Sequence, residues 1–170
     1  MKKALIVIDI QNDYFKGGKM ALHHSEQMLN QSNKLIEYAN IHAYPIYIIQ
    51  HIAEESSSFF VPETKGINLH PELNISHGTA VIQKHYPNSF RETTLRKELE
   101  KEGINELIIC GAMTHMCIDT TVRAGADLGY MITLVRDACS TKDLEFDGNT
   151  VALRQCKPPI WLHWMVHFAK

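Results

Sequence analysis

The chain has no excess of basic residues: 17 Lys and Arg stand against 19 Asp and Glu in 170 residues, a formal charge of −2 with neutral His. That removes the electrostatic footprint expected of a protein that binds nucleic acid or an anionic membrane, and points to a small molecule as partner. Paired cysteines are missing as well. Cys110, Cys117, Cys139 and Cys156 show neither Cys-x-x-Cys nor Cys/His ligand spacing, so in a reducing compartment all four would be free thiols. The opening apolar run ends at Asp9 after only five residues, Ala4 to Ile8. It is too short for a signal peptide or a membrane span, and the expected location is cytoplasmic. Internal repeats and low-complexity tracts are absent. What is present is ordinary globular composition, 45% hydrophobic and 21% charged, at a length suited to one domain.

The apolar pattern alternates between two periods. Ala4 to Ile8 is a continuous aliphatic run of the kind buried on both faces of a parallel sheet. Met28, Leu29, Ser32, Leu35, Ile36 and Ala39 recur at three-to-four-residue spacing, which predicts a helix from Ser25 to about Asn40. Further strands are predicted at 45–50, 80–83, 106–110 and 131–135. Ser89 and Glu92 fit a capping box for a helix carrying Leu95 and Leu99, and another helix is predicted from Cys117 to Leu128, closed by Gly129. Residues 51–76 carry no clear period, and a loop of that length is a candidate lid. The expected fold is α/β: a three-layer, Rossmann-like parallel sheet flanked by helices, with right-handed crossovers. Ligands of such folds bind beyond the carboxyl ends of the strands. The residues there are Asp9, His51, Lys84, Gly111 to Cys117, and Asp137.

Three of these complement one another chemically. A thiol attacks, a carboxylate accepts its proton, and an ammonium favours the thiolate: Cys117, Asp9 and Lys84 supply the three parts of nucleophilic catalysis. A cysteine at a helix N-terminus also sits among amide donors that lower its pKa and can hold an oxyanion, the combination that acyl transfer needs. Taken singly, each has a plainer use: Asp9 as a turn residue, Lys84 as a solvated surface group, Cys117 as a small buried hydrophobe like Cys110. Their coincidence at strand ends favours the catalytic reading.

Three blocks then carry a resemblance. Val7-Ile8-Asp9-Ile10-Gln11-Asn12-Asp13-Tyr14-Phe15, Lys84-His85-Tyr86-Pro87-Asn88-Ser89-Phe90 and Gly111-Ala112-Met113-Thr114-His115-Met116-Cys117-Ile118-Asp119-Thr120-Thr121 resemble, in order, the signature blocks of the isochorismatase-like cysteine hydrolases. That family includes nicotinamidases and N-carbamoylsarcosine amidases. The resemblance covers residue 3 to about 150. It implies a catalytic triad of Asp9, Lys84 and Cys117, a cis peptide at Ala112-Met113, and an oxyanion hole formed by the Met113 and Cys117 amides. It further implies a homo-oligomer, dimer or tetramer, acting on a small molecule.

The substrate is less legible. The Asp-x-His metal motif of family nicotinamidases is replaced by Ile49-Gln50-His51-Ile52-Ala53. His51 and His70 are read as surface residues, since a closed zinc site takes four ligands; no metal and no cofactor are expected. A cysteine nucleophile favours an amide or ureide carbonyl. The alternatives are an isochorismatase-type vinyl ether hydrolase and a catalytically silent binding or assembly protein. Phe15, Phe59, Phe60, Phe90 and Met113 are candidates to line the pocket, and His115 to contact substrate or cap the helix.

Residues 151–170 are read as an atypical tail following a hydrolase domain at 1–150. They hold both tryptophans and Pro158-Pro159 but no acid, and the prolines would break the Ala-rich helix that family members place there. Codons for 153–168 read two nucleotides out of register permit such a helix, and Trp164-Met165-Val166 forces an Asp-Gly pair after it. The expectation is a frameshift that alters the final helix and removes a sixth, edge strand. A genuinely divergent tail, with Ile160-Trp161-Leu162 covering exposed sheet or an oligomer interface, is the other reading.

Overall fold

The structure is a computed structural model and describes residues 1–152; the expectations for the tail from residue 153 onward, Cys156 included, lie outside the described residues. A five-stranded parallel sheet runs in the order β3-β2-β1-β4-β5, formed by β1 (Lys3–Ile8), β2 (Ile46–His51), β3 (Ala80–Lys84), β4 (Glu106–Ala112) and β5 (Met131–Ser140). Helix α1 (Ser25–Ile41) packs on one face, α2 (Leu95–Lys101) and α3 (Asp119–Asp127) on the other. The alternation of a strand explains the two cores. Leu5 and Val7 join Met28, Leu29 and Ile36 of α1, while Ala4, Ile6 and Ile8 join Leu95, Leu99 and Val122. A strand enclosed in this way must be apolar at every position, which is why Ala4 to Ile8 reads as an unbroken run. No helix among the described residues is long and apolar enough to cross a membrane.

Several expectations need correction. The capping box does not form: α2 starts only at Leu95, because Ser89 is engaged elsewhere, its amide and hydroxyl both bonded to Thr121 Oγ1 at the start of α3 (3.1 and 2.9 Å). β5 does not stop at Val135 but continues through exposed Arg136 and Asp137 to Ser140. The polar pair resembled a strand end, yet the register shift between Ile109 and Gly111 carries β5 onward to pair Cys139 with Gly111 and Ser140 with Ala112. Asp137 is thus a mid-strand residue. The helix expected from Cys117 to Leu128 is present as α3, but it begins only at Asp119, and Cys117 itself lies in a π turn (Thr114–Ile118) that passes into it. A hairpin of β6 (Leu144–Phe146) and β7 (Asn149–Val151) was also missed, although its Asp147-Gly148 turn, with φ of 49° and 73°, is the strongest short-range hairpin signal.

Gly111 shows how tightly β1 and β4 meet beside the carboxyl rim. Its φ is +120°, and a Cβ there would lie 1.9 Å from the Ile8 carbonyl oxygen. Gly111→Ala is expected to cost about 4 kcal/mol or more, combining backbone strain with a collision that flanking strands prevent from relaxing. An unchanged urea midpoint for this variant would contradict the assigned pairing of Ile8 with Gly111.

Candidate active site

Strand order positions the site. The sheet switches direction between β1, which leads outward to β2 and β3, and β4, which leads to β5, and the crevice of an open α/β sheet lies at this switch. Asp9 follows β1 on one side; the Met113–Cys117 turn follows β4 on the other, after the cis Ala112-Met113 peptide that the resemblance implied. Lys84 ends β3, and register pairs it with His51 at the end of β2. In-register neighbours on parallel strands present their side chains to the same face, so the two meet.

The three expected side chains converge. Lys84 Nζ stands 2.9 Å from Asp9 Oδ2 and 3.2 Å from Cys117 Sγ, with Asp9 and Lys84 fully buried and Cys117 only 3% exposed. The Asp9–Lys84 contact is a buried ion pair made through Oδ2, and Asp9 Oδ1 engages no donor. A buried carboxylate with unengaged lone pairs can accept a proton. Lys84 is desolvated by burial, which favours the neutral amine, but its pKa is raised, the Asp9 carboxylate being the largest opposing influence. The ammonium is therefore the resting form.

Cys117 departs from expectation. Burial and then the Asp9 carboxylate raise its pKa above the ordinary thiol value, and the opposing Lys84 ammonium does not restore it. The resting group is a thiol hydrogen-bonded into a polar cluster, because the amides of a short π turn and one ammonium do not offset desolvation at 3% exposure.

His51 corrects the sequence reading most sharply. It is no surface residue: its side chain is 15% exposed, and Nδ1 lies 2.7 Å from Lys84 Nζ and 4.0 Å from both Asp9 Oδ2 and Cys117 Sγ. The available signal was its place at a strand end beside Lys84. Asp9, His51 and Cys117 each offer a donor atom within 4.8 Å of the others, the geometry of a metal-binding group. A cation held by all three would have to displace the Lys84 ammonium, which already contacts each of them.

Burial first, and the Lys84 ammonium second, lower the His51 pKa from 6.5 to about 4, with His85 adding to the effect and Asp9 opposing it. The unfolded chain takes up this proton near pH 6.5 and the folded protein only near pH 4. Stability therefore falls as pH drops through that window, by about 3 kcal/mol once both forms have titrated. Urea midpoints measured between pH 7 and 4.5 should decline less steeply for His51→Asn, which carries no titrating ring; parallel declines would contradict the burial of His51.

The segment expected as a lid packs over this rim. Asp13 accepts from the Phe60 amide (2.7 Å), Gln11 Nε2 donates to the His51 and Ile67 carbonyls (2.8 Å each), and the His70 amide donates to Ile10 (3.0 Å). Phe60, fully buried, approaches His51 at 5.9 Å and Tyr14 at 4.6 Å between ring centroids, and Phe59 lies 5.0 Å from Phe60. Tyr14 belongs with this aromatic cover and was not singled out, although it lies in the same sequence block as Asp9. Other candidates are engaged elsewhere. The Phe15 ring meets His70 in a tilted contact at 4.0 Å between centroids, and Phe90 stacks on Tyr130 at 6.0 Å. His115 Nδ1 meets Thr141 Oγ1, tying the nucleophile turn to the residue that follows β5.

Residues 3–159 match the Isochorismatase domain family. The chain is 43% identical over 152 residues to the uncharacterized isochorismatase family protein YddQ of Bacillus subtilis, covering 89% of this chain and 84% of that one. It is 26% identical over 175 residues to the nicotinamidase of Escherichia coli, covering 81% and 82%. A crystal structure of a putative isochorismatase hydrolase from Oleispira antarctica superposes with a TM-score of 0.93 at 39% identity, covering 98% of this chain and 90% of the other.

Proposed function

The chain belongs to the isochorismatase family of hydrolases, and within it we propose a cysteine-dependent hydrolase of a small amide- or ureide-like substrate, acting through a thioester. The observation that carries this reading is the meeting of Asp9, Lys84 and Cys117 at one buried point, 2.9 and 3.2 Å on either side of the ammonium. Similarity to a nicotinamidase supports an amide carbonyl as the target.

The resting thiol sets the order of events. Asp9 takes the Cys117 proton as Sγ attacks the carbonyl carbon, so that a thiolate is never exposed to the buried site alone. The negative charge moves to the carbonyl oxygen, where the Met113 and Cys117 amides are assigned to receive it. Protonated Asp9 then delivers its proton to the departing nitrogen as the C–N bond breaks, leaving acyl-Cys117 and a free amine. Water attacks the thioester as Asp9 accepts its proton, and as the C–S bond breaks Asp9 returns that proton to Sγ, releasing the acid and restoring both the thiol and the carboxylate. Lys84 keeps its proton throughout and stabilises the carboxylate and the developing thiolate.

A panel of small amides, ureides and isochorismate, assayed with wild type and Cys117→Ala, tests the reading. Amide or ureide turnover dependent on Cys117 supports it. Turnover of isochorismate that survives loss of the thiol would replace it with vinyl ether hydrolysis.

A further inference from the structure

An ammonium carries three N–H donors, and Lys84 Nζ faces three acceptors: His51 Nδ1 at 2.7 Å, Asp9 Oδ2 at 2.9 Å and Cys117 Sγ at 3.2 Å. Lys84 is fully buried, so water does not substitute for any of them. The three differ in what the reaction does to them. Asp9 is neutralised when it takes the thiol proton, and Sγ passes from thiol through a developing thiolate to an uncharged thioester. The imidazole is the one acceptor that stays the same through both half-reactions.

We infer that His51 is a positioning residue that holds the Lys84 ammonium in place while its other two acceptors change charge. The inference rests on the Asp9–Lys84–Cys117 reading above. It also assigns the ring's proton. Because an ammonium only donates, Nδ1 accepts and the hydrogen sits on Nε2. His51 is then not the base that activates water: Nδ1 is occupied, and a second proton would place an imidazolium 2.7 Å from an ammonium. Asp9 at 4.0 Å just after β1, Cys117 at 4.0 Å on the π turn, Lys84 on β3 and nearby His85 are the charged and titratable groups facing the ring. Among them Asp9 alone favours the imidazolium, from beyond hydrogen-bond distance.

Strand order makes this placement a property of the fold. β2 lies between β3 and β1, so a residue ending β2 stands between Lys84 and Asp9 whatever its type. An acceptor is required there, and a hydrocarbon would leave one N–H of a buried ammonium unmade.

The test compares His51→Asn, whose side-chain oxygen can replace Nδ1 as acceptor, with His51→Leu, which fills similar space without one. Iodoacetamide is the probe, with modification of Cys117 followed by peptide mass spectrometry at pH 7.5. His51→Asn should alkylate within about twofold of wild type and His51→Leu about tenfold more slowly, the factor for loss of one charge-assisted hydrogen bond. In wild-type protein, ¹⁵N spectra of the ring should show an unprotonated Nδ1 and a protonated Nε2 at neutral pH. Equal rates in wild type and His51→Leu, equal slowing in both variants, or a ring proton on Nδ1 would each overturn the inference. Wild-type Cys117 reacting no faster than Cys110 or Cys139 is a different outcome: it removes the triad reading and this inference with it.

Discussion

Cys117→Ala is expected to abolish turnover of any substrate that the wild type hydrolyses, with kcat falling by about 10⁴-fold or more, because no covalent route survives loss of the attacking atom. The fold should persist. Replacing one buried sulfur by hydrogen in an interior that otherwise keeps its contacts costs about 1 kcal/mol, small against the stability of a domain this size. Cys110→Ala is the matching control. Cys110 is fully buried on the α1 face, its pKa pushed up to about 12 by burial, and it takes no part in the cluster. This variant should retain activity while losing comparable stability. Turnover by Cys117→Ala at the wild-type rate would refute covalent catalysis.

Lys84→Met is expected to damage both activity and folding. Removing the ammonium leaves the Asp9 carboxylate fully buried without a counter-charge, and breaking a buried pair from one side costs about 3–5 kcal/mol. The double variant Asp9→Asn/Lys84→Met removes both charges and should recover most of that loss while remaining inactive. Urea midpoints of the two proteins separate the effects; equal midpoints would mean that the pair is not buried as a unit. The Lys84 contribution also has a pH signature. Its folded pKa is raised above the ordinary 10.5, so the stabilisation is fully present below that value and is lost as pH climbs through the folded pKa.

The fold was legible because the interiors of β1, β2 and β4 are enclosed on both faces and read as apolar runs, polar residues such as Lys3, Gln50 and Glu106 being confined to their ends, whereas α1 shows a helical period because only one of its faces is covered. Boundaries failed where tertiary contacts override local signals. Ser89 could have capped a helix but is held by Thr121, and Arg136-Asp137 could have ended a strand but sits on an exposed stretch of one that continues. Asp9, Lys84 and Cys117 were legible because each lies at a strand end and offers a distinct chemistry. His51 lies at a strand end too, and was misread because a histidine flanked by apolar and polar residues carries no sign of its neighbour across the sheet. Register with Lys84 decides its role, and register is not a local property of the sequence. The thiol's upward pKa was out of reach for the same reason, since it depends on how completely the folded chain buries Cys117 beside Asp9.

The central claim is that Cys117 is the nucleophile at this buried junction. It is tested most directly by alkylating the wild-type enzyme in steps with iodoacetamide, mapping each modified cysteine by mass spectrometry, and assaying the same samples on an amide that the enzyme turns over. Activity should fall in direct proportion to modification of Cys117 and reach zero when that thiol is fully blocked, whatever the state of Cys110 and Cys139. Undiminished hydrolysis by protein whose Cys117 is completely alkylated would contradict the account.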